Sequence, residues 1–148
     1  MKQDPGFDVN LVVVDDYGDT ILHSACQESN RSTVIPLLLA HPGIDVNVKN
    51  NGGQTPFYCA CYGYTPCVRE MLKDSRVKVN ERNNDGITPL FWAVARRNVE
   101  MVRLLLEFGA DPSLTTEKGE SPLSRCKALR ESGQPEAIQI ADLLEKTS

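Results

Sequence analysis

His23 stands beside Ser24 and four residues after Asp19, the residue types of a general base, a nucleophile and an orienting acid. Acyl transfer needs more than the trio, because the base must be oriented and an oxyanion site must face the nucleophile. Residues 19–24 supply neither, and His23 is read instead as a side chain that ties a turn to a helix start. Sulfur chemistry fares no better. Cys59 and Cys61 are two apart, a separation that sends side chains to different faces of a helix, and Cys26, Cys67 and Cys126 bring the count to an odd 5. Neither CxxC spacing nor a nearby histidine completes a zinc site. The thiols are read as reduced and packed, as expected of an intracellular chain in the cytoplasm or nucleus. No cofactor, no metal and no enzymatic activity are expected.

The elements around these residues announce themselves by repetition. Four copies of one short pattern run down the chain: Gly18-Asp19-Thr20-Ile21-Leu22, Gly53-Gln54-Thr55-Pro56-Phe57, Gly86-Ile87-Thr88-Pro89-Leu90 and Gly119-Glu120-Ser121-Pro122-Leu123. Their glycines lie 35, 33 and 33 residues apart, and a fixed period of this size signals stacked supersecondary units. Glycine suits a positive-φ turn, Thr or Ser caps a helix, and Pro sits without cost at a first helical position. Five residues after each hydroxyl comes a small side chain, Ala25, Ala60, Ala93 or Cys126, where neighbouring helices can approach closely. A second helix should follow in each copy, with Thr65-Pro66, Asn98 and Pro135 at three of the starts. Its apolar ridge is expected in the core: Val34-Ile35-Leu37-Leu38-Leu39, Val68-Met71-Leu72, Met101-Val102-Leu104-Leu105-Leu106 and Ile138-Ile140-Leu143-Leu144. Helices this short are marginal alone, so the copies must hold one another. Between repeats the chain should form an extended hairpin.

Composition narrows the partner. With 148 residues, 41% hydrophobic and 24% charged, and a net charge of −4, the chain is ordinary for a soluble domain and has no global attraction for nucleic acid or an anionic membrane. Its apolar runs, residues 11–14 among them, are far shorter than a membrane span, and no export signal is expected.

The helix starts Thr20-Ile21-Leu22-His23-Ser24-Ala25, Thr55-Pro56-Phe57-Tyr58-Cys59-Ala60 and Thr88-Pro89-Leu90-Phe91-Trp92-Ala93 resemble the Thr-Pro-Leu-His-x-Ala signature of the ankyrin-repeat family. The resemblance covers nearly the whole chain. It implies an all-α fold, an α-solenoid of stacked helix-turn-helix units joined by β-hairpin loops. Residues 1–148 would form a single domain, with 1–15 the tail of a partial repeat, 16–50, 51–83 and 84–116 repeats, and 117–148 a C-terminal capping repeat. The first repeat is longer than the others, the second loses a residue between its helices, and the last inserts about five residues around 129–134 against the family period.

By the same resemblance the chain binds another protein through the hairpin tips and a concave face lined by first helices, without catalysis and as a monomer. The tips are 15–19, 51–54, 84–87 and 117–120, and the face holds Ser24, Gln27, Cys59, Tyr62, Trp92, Ala95, Arg125 and Ala128. Aromatic and arginine side chains dominate interface energetics, which singles out Tyr17, Gln54, Tyr62, Ile87, Trp92 and Arg96 as partner-binding residues. Asn47 and Asn80 sit in the hairpin context in which ankyrin asparagines are hydroxylated. Two other roles fit the same architecture: a structural or targeting segment of a larger ankyrin array or multidomain protein, or a short inhibitor of an enzyme such as a kinase.

Overall fold

The hydroxyl at the head of each first helix meets the free N–H groups that a helix start leaves over. In the structure, a computed structural model that describes residues 8–10 and 16–147, Thr20 caps α1 (Ile21–Ala25) and Thr88 caps α5 (Pro89–Ala95), accepting the N–H of His23 and Phe91. Thr55 Oγ1 accepts from Tyr58 N at 3.1 Å at the head of α3 (Pro56–Ala60). The remaining helices are α2 (Ile35–Leu39), preceded by a 3-10 turn over Ser29–Val34, α4 (Thr65–Leu72), α6 (Val99–Glu107), α7 (Cys126–Glu131), entered through a 3-10 turn at Leu123–Arg125, and α8 (Pro135–Thr147). No strand occurs among the described residues, in keeping with an all-α repeat fold.

The hairpin loops are therefore tight turns, too short for a ladder. Asn50 N–H donates to Gln54 O at 2.9 Å, Asn83 N–H to Ile87 O at 3.0 Å and Thr116 N–H to Glu120 O at 2.7 Å. The Asn50 and Asn83 side-chain oxygens accept two further N–H groups inside their own turns. Gly86 has φ +78°, and a Cβ there would lie 3.0 Å from Glu117 N, so glycine is required twice over.

The described residues gather into two compact units, 8–10 with 16–60 and 64–77, and 61–63 with 78–147. In the first, α1 packs on α3, and α2 with its 3-10 turn packs on α4, around Leu22, Ile35, Phe57, Tyr58, Val68 and Met71. In the second, α5 packs on α6, and α8 on α6 and α7, around Leu90, Met101, Leu105, Ile140 and Leu144. Ala25, Ala60, Ala93 and Cys126 are all buried, as their small size requires. Arg130 on α7 reaches Asp142 and Glu145 of α8 at 2.8 Å each.

Three expectations change. The ridge of the first repeat is only partly core: Ile35 is buried, but Val34 and Leu37 are 40% and 74% exposed. Over the six residues of Ser29–Val34 a 3-10 winding departs from an α-helix by roughly 120°, which turns the ridge outward. Thr65 does not cap α4; Tyr64 O already accepts the N–H groups of Cys67 and Val68, so the helix starts one residue sooner and Thr65-Pro66 fill its first turn. Ser121-Pro122 opens a 3-10 turn ahead of α7 rather than an α-helix, with Ser121 and Ser124 bonding each other reciprocally at 2.7–3.1 Å. Of the partial repeat at 1–15, residues 1–7 and 11–15 lie outside the described residues. Val9 is buried, and Asn10 Nδ2 donates to Gly43 O at 2.8 Å while Asn10 Oδ1 accepts from Asp45 N at 2.7 Å.

Candidate functional site: an aromatic–arginine cluster and the cleft beside it

Trp92 lies four residues into the helix that Thr88 caps, half-buried on α5. The Tyr62 ring stands edge-on to it, with centroids 5.4 Å apart and planes at 89°, an arrangement that aromatic quadrupoles favour. Arg96, the C-cap of α5, places its guanidinium 6.0 Å from the Trp92 ring centroid. The helix then ends abruptly: Arg97 takes φ +57°, the left-handed conformation usually left to glycine, and Arg97 and Asn98 N–H close back on Val94 and Ala93 carbonyls. Asn98 caps α6 through Met101 N. One polar atom of this cluster stands out. Trp92 Nε1 is buried and has no hydrogen-bond partner among the described residues, although buried indole N–H groups ordinarily find one.

Ile87 is half-buried in the turn that precedes α5, with its N–H held by Asn83 Oδ1 at 3.0 Å. Together with Phe91 it lines a cleft of about 390 Å³ whose other walls are Asp85, Thr116, Glu117, Lys118, Glu120 and Arg125. Arg125 lies over the Phe91 ring at 5.0 Å and pairs with Glu120 at 2.8 Å. The structure thus brings Tyr62, Trp92 and Arg96 into one cluster and sets Ile87 in the neighbouring cleft. Phe91 was not singled out from the sequence. Its signal was there: Phe91 occupies the position that His23 holds in the first repeat.

Tyr17 and Gln54 belong to the first unit. Tyr17 is 69% exposed, and its carbonyl accepts from Asn51 N at 2.8 Å. Gln54 is employed within the fold: its carbonyl takes His23 Nε2 at 2.8 Å, and its Oε1 lies 3.3 Å from Asn50 Nδ2 and 3.8 Å from Cys59 Sγ. Cys59 itself, expected on the first-helix face, is buried, because α3 turns it inward. Asn47 and Asn80 clip the loop of the following repeat. Asn47 Nδ2 donates to Arg76 O at 2.9 Å, and Asn80 Nδ2 donates to Gly109 O at 3.3 Å while its Oδ1 accepts from Asp111 N at 2.8 Å.

His23 is fully buried. Thr20 N–H donates to its Nδ1 at 3.1 Å, so the hydrogen sits on Nε2 and goes to Gln54 O. Burial, with Asp19 as the lesser cause, pushes the Cys59 thiol up to about 12, the reverse of an activated nucleophile. Among the described residues no three His, Cys, Asp or Glu side chains are grouped to hold a metal ion, and no helix is long and apolar enough to cross a membrane.

Comparison with known proteins agrees with this architecture. A family model described as ankyrin repeats in three copies matches residues 3–83, 30–116 and 57–146. The SMC5-SMC6 complex localization factor protein 1 of Bos taurus and that of Homo sapiens are each 44% identical over 109 residues, which is 72% of this chain and 10% of theirs. Ankyrin repeat and SOCS box protein 16 of Homo sapiens is 38% identical over 87 residues, 55% of this chain and 16% of its own. The chain thus spans about a tenth of the length of the first of these relatives. With three overlapping matches that cover residues 3–146, the chain belongs to the ankyrin-repeat family.

Proposed function

We propose that this chain is a non-catalytic module that binds a partner protein through its hairpin turns and the face of its first helices. Tyr62, Trp92 and Arg96 are the anchors, and Tyr17, Gln54 and Ile87 are flanking contacts. Ankyrin repeats are protein-interaction modules as a class. The observation that carries the assignment of the face is the Tyr62–Trp92–Arg96 cluster, which sets two large aromatics and a guanidinium together on the capped helix α5, at its C-cap and in the turn that follows α3. Side chains ordered before binding lose little entropy when a partner docks, and aromatic and arginine anchors contribute most of the affinity. A net charge of −4 favours a protein over a polyanion as partner, and the module works inside the cell as a monomer across residues 1–148.

The length and the name of these relatives favour one refinement. A segment that matches about a tenth of a complex localization factor suits a targeting role, in which the module positions a larger protein on its partner. Combined Tyr62→Ala and Trp92→Ala substitution tests the assignment. The double variant is expected to keep its helical circular dichroism while losing a protein that the unaltered chain retains from cell extract. Undiminished retention rejects the first-helix face.

A further inference from the structure

The aromatic cluster is rich in donors and poor in acceptors. Trp92 Nε1–H is buried without an acceptor, and the exposed Arg96 guanidinium over the same ring has no carboxylate partner among the described residues. The next residue, Arg97, spends its guanidinium on the neutral Gln134 Oε1 at 2.5 Å. Arg125, in the adjoining cleft, has already claimed Glu120. A partner that supplied only apolar surface would leave both the indole N–H and the Arg96 charge unmet, and desolvating an unpaired charge is costly. What the cluster lacks is an anionic acceptor with at least two lone pairs.

We propose that the cluster receives an aspartate or glutamate side chain from an extended segment of the partner protein. The carboxylate accepts from the Arg96 guanidinium and from Trp92 Nε1–H, while Tyr62 packs on a neighbouring apolar residue. The inference rests on the interaction-module reading and adds the chemistry of the partner to it. Nε1 is screened from solvent, so the carboxylate reaches it only as side chains at the cluster rearrange around the incoming charge. Rotamer changes of this kind are common when interfaces form. The apolar rings of Tyr62 and Trp92 and the net charge of −4 favour a single carboxylate over a run of phosphates.

Trp92 is the chain's one tryptophan, so its emission reports occupancy of the site. Three heptapeptide pools serve as probes, random except for a central Glu, Gln or Lys, each titrated into the full chain and into variants with unchanged circular dichroism. The Glu pool is expected to bind at least about ten-fold more tightly than the Gln or Lys pool, the size of a charge-assisted hydrogen bond. Arg96→Gln should bring the Glu pool within about two-fold of the Gln pool, and Arg96→Glu should make the Lys pool the tightest. Equal binding of the Glu and Gln pools, absence of binding by all three, or a Glu preference that survives Arg96→Gln overturns the carboxylate site. So does displacement of the Glu pool by a single-stranded oligonucleotide, which would make phosphate the occupant. The broader reading fails separately, only if the Tyr62→Ala and Trp92→Ala double variant keeps what the unaltered chain captures.

Discussion

The first helices α1 and α5 begin alike, with a threonine cap, and differ in what they do with a nitrogen-bearing ring. His23 in α1 has no exposure and both ring nitrogens engaged, one accepting from Thr20 N and the other bonded to Gln54 O. Trp92 in α5 is half-buried with its ring nitrogen unengaged among the described residues. A buried polar group with good partners rigidifies a fold, whereas one left unpaired weakens it. The contrast separates a scaffold position from the one proposed to take its acceptor from a partner protein. It makes opposite predictions for two substitutions that each delete ring N–H chemistry. His23→Leu strips the buried Thr20 N–H of its acceptor and should cost about 2–4 kcal/mol. Trp92→Phe removes a donor that has no acceptor and should change stability by less than about 1 kcal/mol. Urea unfolding followed by circular dichroism compares the two, and equal losses would erase the distinction.

Much of this scaffold was legible in the sequence because it rests on local rules. Thr20, Thr88 and Asn98 cap the helices that follow them, and Gly86 turns with positive φ, since each is decided within four residues of chain. The meeting of Tyr62 with Trp92 follows from the repeat period, which places both on first helices or just after them. What could not be read were consequences of neighbours. The inward turn of Cys59, the use of Gln54 by His23 and Cys59, and the seat of Arg125 on Phe91 each depend on side chains 5 to 34 residues away. The unengaged Trp92 nitrogen is of the same kind, because a missing partner shows only when every surrounding group is in place.

Cys59 sharpens the contrast from the scaffold side, since it is a buried titratable group held neutral by its surroundings. Its folded thiol is pushed up to about 12 from an ordinary 9.0, mainly by burial. The folded state therefore keeps the proton at pH values where the unfolded chain has released it, and stability is full below about pH 9 and falls as pH rises toward 12. The slope attributable to this one group can reach about 1.4 kcal/mol per pH unit. Cys59→Ala should flatten the alkaline limb of a stability curve measured between these limits. A variant that loses stability with pH as steeply as the unaltered chain would place the alkaline sensitivity elsewhere.

The smallest expected effect tests the second helices. Val34-Ile35-Pro36-Leu37 and Met101-Val102-Arg103-Leu104 carry similar apolar ridges, yet Leu104 is 9% exposed and Leu37 is 74% exposed. The 3-10 winding of Ser29–Val34 accounts for the difference, since it changes the phase with which Ile35 and Leu37 meet α4. If the phase is as described, Leu37→Gln exchanges one exposed side chain for another and should shift stability by no more than about 0.5 kcal/mol. A loss of about 2 kcal/mol or more would mean that Leu37 is covered, as an α-helical ridge would have it, and that the first repeat winds like the third.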